Sequence, residues 1–309
     1  MPHSPSSFYS EHMENNMMET LSSVMVRVVA QAAQSVVTVW GGRRPISGVV
    51  VAPERVLTVD HVLEGDEARV TVEGGHKWAA SVLGRDPSSD LALLRVEGLT
   101  NPALAVGQDP ELGQLVLWVA RPDAVMVSHG VVSAVGGPVS MGRGMRGQGQ
   151  RLERYFRSDA QPYPGFSGGA FINLNGAMVG LGNAGVLRGQ GVGIPASLVV
   201  ETVGLMAQGE RRPHPFLGIG SQSVRLPSEG ASRRGLLVVS VDPQSPAARA
   251  GLFIGDVLLS FGGVALEDTD DLQAQLSRER IGQSFALEIV RAGAQVTLSL
   301  EVGARAEKS

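Results

Sequence analysis

The sequence predicts a mainly β protein in which two similar strand-rich halves precede a small independent domain. Three observations carry that reading. Short runs rich in Val, Ile, Leu and Thr, bounded by Gly, Pro, Asp and Glu turns, come in two series of six. No strand pattern alternates regularly with long helices, which disfavours a doubly wound parallel sheet or a barrel of parallel strands. A polar stretch, GERRPHP, separates both series from a final segment with its own strand, helix and turn pattern. At 309 residues the chain is long enough for two compact units.

The elements follow in order. Residues 1–20 read as a polar, flexible leader with Phe8 and Tyr9 as its aromatic anchors. From Leu21 to Ala33 the apolar positions Leu21, Val24, Met25, Val28 and Val29 recur at helical spacing. The first strand series is VVTVW, ISGVVVA, RVLTV, ARVTV, KWAASVL and LALLRV, enough for one small barrel or sheet. The second is QLVLWVA, MVSHGVVSAV, RYFRSDA, GAFIN, AMVGLG and GVGIP, interrupted by a Gly- and Arg-rich loop from Gly136 to Arg151. Ser197 to Gly209 is a closing helix, with Leu198, Val199, Val203 and Met206 apolar and Gly209 placed for its C-terminal cap. The expected organisation is a leader at 1–20, a first domain at 21–209, a linker at 210–215, a second domain at 216–304 and a tail at 305–309.

Composition excludes several function classes. Lys and Arg number 26 against 30 Asp and Glu, a formal charge of −4, so there is no basic footprint for nucleic acid or an anionic membrane. The absence of Cys removes disulfides, thiol nucleophiles and Cys-rich zinc sites. There is no H-E-x-x-H and no Walker-type loop, and His3, His12, His76 and His129 are scattered, so no metal or cofactor is expected. His129 reads as a surface or satisfied histidine. Residues 1–20 carry Glu11, Glu14 and Glu19 but no Lys or Arg, unlike a secretory signal. Val24 to Trp40 is interrupted by Arg27, Gln31 and Gln34, too polar for a membrane span. The expectation is a cytoplasmic protein.

One constellation carries chemistry. Ser167 lies in PGFSGGA, where glycines at 165, 168 and 169 let the backbone turn sharply and bring N–H groups close to a reacting carbonyl. G-x-S-x-G also marks the elbow of α/β-hydrolases, but that fold needs an acid and then a histidine after the serine. The one later histidine is His214, in the linker. Upstream, His61 follows RVLTV and Asp90 opens DLALLRV, giving the order His, Asp, Ser. Serine is a weak nucleophile at neutral pH; a histidine must take its proton, and a buried carboxylate must hold the imidazole tautomer. Singly, the three read as an edge histidine, a turn-closing Asx residue and a small residue in a tight bend. Together, each at a strand end, they point to nucleophilic catalysis in the cleft between the two halves.

The strings LTVDHV, SDLALLRV and SDAQPYPGFSGGA resemble corresponding segments of the HtrA/Deg serine proteases, within the chymotrypsin-like clan. The resemblance implies a chymotrypsin-like double β-barrel with His61, Asp90 and Ser167 as triad and the N–H groups of Gly165 and Ser167 as oxyanion hole. It also sets Val192 and Ile194 beside the primary specificity pocket. Gln161, six residues before the serine, occupies the position where proteases that cut after Lys or Arg carry an acid, so cleavage after small or medium aliphatic residues is expected. Asp159 is expected to be a structural acceptor. Phe166 departs from the family, which has Asn there, and it cannot form the ion pair that activates digestive proteases. With the ring packed inward, Phe166→Asn is expected to leave hydrolysis within a few fold.

The run from HPFLGIGSQSV through SPAARAGLFIGDVLLSFGGVAL resembles a small α+β PDZ domain. There Phe216, Leu217, Gly218 and Ile219 form the loop whose N–H groups receive a peptide's terminal carboxylate. Leu272 and Leu276 either wall the pocket for the last side chain or are plain core positions, and Asp256 reads as a turn acid. The resemblance implies a serine endopeptidase of protein quality control acting on unfolded or damaged proteins or peptides. It further implies capture of C-terminal peptides at the PDZ domain and a homotrimer built through the N-terminal segment. The competing expectation is an inactive homologue that holds peptides or acts like a chaperone.

Overall fold

In the computed structural model the first six β-branched runs form β1 (Val36–Trp40), β2 (Ile46–Ala52), β3 (Arg55–Val59), β4 (Glu67–Thr71), β5 (Lys77–Asp86) and β6 (Leu91–Arg95). The structure describes residues 5–137, 139–140, 151–152, 154–185, 190–210, 213–226 and 233–305; the side chains of 5–18, 139–140, 151–152, 214, 270 and 305 lie outside that description. Most of the 136–151 loop and the side chains of Phe8 and Tyr9 are therefore outside the described residues. The chain divides into two compact units, Met1–Arg211 and Arg212–Ser309.

The six strands close into an antiparallel barrel in the order β1-β2-β3-β6-β5-β4, with β4 returning to β1 through Val39 opposite Val70. Closure leaves no unpaired edge. On β4 the inward Ala68 and Val70 alternate with exposed Glu67 and Arg69, the period-two pattern of a strand with one wet face. The second series makes β7 (Leu115–Ala120), β8 (Met126–Gly136), β11 (Tyr155–Ser158), β12 (Ala170–Ile172), β13 (Met178–Asn183) and β14 (Gly191–Pro195). Between β8 and β11 lies a short pair, β9 (Val139–Ser140) and β10 (Arg151–Leu152). The second barrel closes as β7-β8-β11-β14-β13-β12, the same relative order as the first. Its interior is aromatic: Trp118 stacks on Phe171, and Phe156 and Phe166 meet these rings edge-on. Both halves are thus barrels, as a chymotrypsin-like fold requires.

Two helices flank the barrels. α1 (Pro5–Ala33) begins at Pro5 and not, as the sequence suggested, at Leu21. No Pro or Gly interrupts the chain from Ser6 to Ala33, and a proline at a helix start gives up only an N–H that lacks a helical partner. The residues read as a polar leader lacked an apolar stripe, but after Pro5 they contain no helix breaker. Val28 and Ala32 bury the last turns of α1 against the barrels. α2 (Ala196–Ala207) turns Leu198, Val199, Thr202 and Met206 inward, one face at helical spacing.

The second unit pairs β15 (His214–Phe216) with β22 (Gly303–Arg305). Its main sheet runs β16 (Ile219–Leu226), β17 (Arg233–Val241), β18 (Val257–Phe261), β20 (Ser284–Arg291) and β21 (Ala294–Glu301), with β19 (Val264–Ala265) on β18. Leu236, Val238, Leu258, Phe261, Leu287 and Ile289 build the core under α3 (Pro246–Arg249) and α4 (Thr269–Gln275). Ser245 caps α3 by accepting the Ala248 N–H at 3.1 Å. Among the described residues no helix is long and apolar enough to cross a membrane.

Candidate active site

His61 follows the end of β3, and its position is set by the turn before β6. Asp86 holds that turn by accepting from the Ser88 N–H at 3.1 Å and from the hydroxyls of Ser88 and Ser89 at 2.6 and 2.9 Å. The turn delivers Asp90 in a left-handed backbone conformation, φ 56°. A non-glycine residue persists there only when its surroundings over-determine it. The carbonyl of Asp90 accepts the Asp60 N–H at 3.1 Å, and its carboxylate accepts the His61 N–H at 2.9 Å. The same carboxylate then receives His61 Nδ1–H at 2.7 Å. With Nδ1 donating, Nε2 of the neutral ring carries the lone pair. Asp90 is fully buried, whereas the imidazole is 29% exposed.

Burial alone would push the His61 imidazole below its ordinary pKa. The hydrogen bond to Asp90 and the charges of Asp90 and Asp60 outweigh it, so the pKa is raised. Asp60 is itself buried and ion-paired with Arg85.

Ser167 sits at the mouth of the second barrel, 7% exposed, on a loop that glycine makes possible. Gly165 and Gly168 have φ near +82° and +84°. A Cβ on Gly168 would lie 2.0 Å from the Ser47 carbonyl oxygen, so the close approach of the two barrels also requires glycine there. The loop is tied by three main-chain bonds: Phe166 N–H to Tyr163 O at 3.1 Å, Gly169 N–H to Phe166 O at 2.9 Å and Gly168 N–H to Gly182 O at 2.8 Å. Among the described residues the N–H groups of Gly165 and Ser167 meet no acceptor.

The structure brings His61, Asp90 and Ser167 to one seam through β13. Asn183, at the end of that strand and fully buried, donates its side-chain amide to Asp90 Oδ2. Its carbonyl oxygen accepts the Gly185 N–H at 2.9 Å. The neighbouring Ala184 N–H donates to Ser167 Oγ at 3.1 Å, and a Cβ on Gly185 would lie 3.2 Å from His61 Nε2. Imidazole and hydroxyl thus flank the same two residues, but they make no hydrogen bond to each other among the described residues. Catalytic bonds are often long in unliganded sites and tighten when substrate arrives. Sequence reasoning missed Asn183 because an asparagine after LG is indistinguishable from an ordinary turn residue. The available signal was its place at the end of a strand in the serine's own barrel.

The other predicted positions fall differently. Gln161 is exposed, its amide 3.5 Å from the Pro162 carbonyl. Val192 and Ile194 are fully buried in the barrel core. Asp159 is a structural acceptor, taking the Val131 N–H at 2.7 Å. His129 is exposed. Phe166 is fully buried, edge-on to Trp118 and Tyr163 with ring centroids 5.3 and 5.2 Å away.

In the second unit Phe216 ends β15, opposite Gly303, and Ile219 begins β16. Between them the Leu217 and Gly218 carbonyls accept from Ala247 and Asp242 at 3.0 and 2.8 Å. Gly218 is left-handed, φ 81°, and a Cβ there would collide with Ser245. Leu272 is buried in the core, and Leu276 lies just beyond the end of α4, packed on the same cluster. Core packing is thus the role visible for both. Asp256 is more than a turn acid: it accepts the Phe253 N–H at 2.8 Å and both Nε and Nη2 of Arg291 at 2.8 and 2.7 Å.

Comparison with known proteins agrees with this architecture. Residues 46–181 match the trypsin-like peptidase domain model and residues 215–302 the PDZ domain model. Periplasmic serine endoprotease DegP of Salmonella typhimurium is 31% identical over 275 residues, spanning 83% of this chain and 56% of that protein. Putative serine protease HhoB of Synechocystis is 29% identical over 267 residues, spanning 79% and 63%. The chain thus covers less than two thirds of the length of these relatives. The HtrA-type protease AlgW, solved with a decapeptide, superposes with a TM-score of 0.65 at 26% identity, covering 91% of this chain and 98% of that one. Double barrel, PDZ unit and these likenesses together make the chain a member of the HtrA family of serine proteases.

Proposed function

We propose that this chain is a serine endopeptidase that hydrolyses unfolded or damaged proteins through an acyl-enzyme, while its PDZ domain binds exposed C-terminal peptides. The observation that carries the reading is the 2.7 Å bond from His61 Nδ1 to Asp90, which leaves Nε2 free beside the segment that binds the Ser167 hydroxyl. Ser167 Oγ attacks the scissile carbonyl carbon as His61 Nε2 takes its proton, and Asp90 stabilises the imidazolium. The oxygen that gains the electron pair is received by the N–H groups of Gly165 and Ser167. His61 then passes the proton to the leaving amine, the C–N bond breaks, and water repeats the sequence on the ester.

Support for the substrate class comes from relatives named serine endoproteases and from an HtrA-type neighbour solved with a peptide. Cleavage after small or medium aliphatic residues is what the family likeness suggests, and a panel of fluorogenic peptides showing clear Arg preference would remove it. A homotrimer is the assembly that the family likeness suggests, and light scattering reporting a monomer or dimer would remove it. The reading as a whole is tested with a fluorophosphonate probe. Wild type is expected to label and Ser167→Ala to lose all label; an unlabelled wild type would leave only a peptide-holding module.

A further inference from the structure

Ser47, on β2 of the first barrel, is fully buried and uses every polar atom it has on the other elements of the site. Its hydroxyl donates to the Gly165 carbonyl at 2.9 Å and accepts the Arg121 N–H at 2.8 Å. Its own N–H donates to the Ser167 carbonyl at 3.0 Å, and its carbonyl accepts the Thr58 hydroxyl at 2.7 Å. Gly165 and Ser167 belong to the second barrel, whereas Thr58 lies on β3, the strand that leads to His61.

Those bonds act on peptide planes. In a trans peptide the N–H points opposite to the carbonyl of the preceding residue, so fixing one fixes the other. The Gly165 carbonyl, held by Ser47 Oγ, orients the Phe166 N–H. The Phe166 carbonyl, held by the Gly169 N–H, orients the Ser167 N–H. The Ser167 carbonyl, held by Ser47 N–H, orients the Gly168 N–H. The plane that carries the Ser167 N–H therefore lies between two planes that one residue of the opposite barrel pins. The need is local: left-handed glycines at 165 and 168 flank this stretch, and glycine permits the peptide flips that would turn an N–H away.

We propose that Ser47 is a positioning residue, a cross-barrel clamp that sets the direction of the Ser167 oxyanion N–H and ties it to the strand of His61. The inference rests on the proposed hydrolytic activity. Removing a direct oxyanion donor lowers kcat by about 100- to 1000-fold, and loosening the loop that aims the donors falls below that.

The test compares wild type with Ser47→Ala and Ser47→Cys in the full chain, by peptide hydrolysis and by amide hydrogen exchange of residues 163–169. Ser47→Ala is expected to lower kcat about 10- to 100-fold with KM within threefold and an unmoved acid midpoint of the pH profile, because the His61 pair is untouched. Exchange of the loop amides should rise, while the barrel strands keep their protection. Ser47→Cys, which retains a weak donor, should recover part of kcat. Unchanged kcat with unchanged loop exchange overturns the clamp, as does a loss accompanied by general exchange across both barrels. An inactive wild type would instead refute the hydrolytic reading, and loop exchange would still report on Ser47.

Discussion

Asn183 of the second barrel donates a hydrogen bond to Asp90 of the first, so the buried carboxylate that holds His61 is itself held from across the seam. Asp90 is thereby surrounded by three donors: the His61 main-chain N–H, His61 Nδ1–H and the Asn183 amide. A hydrogen bond to a buried charged group contributes about 1.5–3 kcal/mol. Asn183→Ala is expected to cut kcat/KM about tenfold or more, since 1.4 kcal/mol is one decade. Asn183→Asp should cost more at neutral pH, because two adjacent buried carboxylates cannot both ionise. Equal rates for all three proteins would remove Asn183 from the site.

The raised pKa of His61 sets the acid limb of activity. The imidazole must be neutral to accept the Ser167 proton, so kcat/KM should climb with pH through a midpoint above the ordinary imidazole value of about 6.5. Asp60→Asn removes one of the charges that raise this pKa and should move the midpoint down. The same shift has a stability consequence of opposite slope. The imidazolium's contribution is fully present below its unfolded pKa and disappears as pH rises through the raised folded value. A midpoint below that of free imidazole, from a pH series with one fluorogenic peptide, would contradict both statements.

Phe166 fills the space between Trp118 and Tyr163 directly before the serine. The ring is packed inward, and an amide in this apolar cluster would lose the ring contacts and find itself buried among aromatics, so the few-fold tolerance of Asn expected from the sequence gives way to a larger expected effect. Phe166→Ala should destabilise the fold by about 3–5 kcal/mol in denaturant titrations. Phe166→Asn should be at least as damaging and slow hydrolysis well beyond a few fold. Phe166→Leu should cost the least.

Asp256 and Arg291 join the β18 end of the PDZ unit to β20. Burial would raise the Asp256 carboxyl pKa, but the Arg291 hydrogen bonds, the Phe253 N–H and the Arg291 charge together lower it. With the folded value below the unfolded one, the stabilisation is present above the unfolded pKa and is lost as pH falls through the folded value. Asp256→Asn should lower the unfolding temperature of this unit at pH 7 and flatten its decline in acid. Calorimetry of the full chain, showing the same acid slope in variant and parent, would contradict this.

Much of the fold was readable residue by residue. All twelve barrel strands fall on the short apolar runs read between turn residues, because alternation and turn chemistry act between neighbours in the chain. The helix at Pro5–Phe8 and onward was not readable as such, since its first turns carry no apolar stripe to mark a period. Gln161 was placed by its distance before the serine, and its exposure is a matter of tertiary context that a position in the sequence does not carry.

The amino-acid order alone determined the two strand series, the linker, the PDZ unit and the His61, Asp90, Ser167 order, because each is written in local pattern or in motif. The tertiary structure decided what surrounds those groups: Asn183 on Asp90, Ser47 on Gly165 and Ser167, and Phe166 between two rings. A serine in a strand or an asparagine in a turn carries no mark of its partner. Its role arises only when barrel closure brings distant segments within hydrogen-bond distance, and that closure depends on the packing of both cores at once.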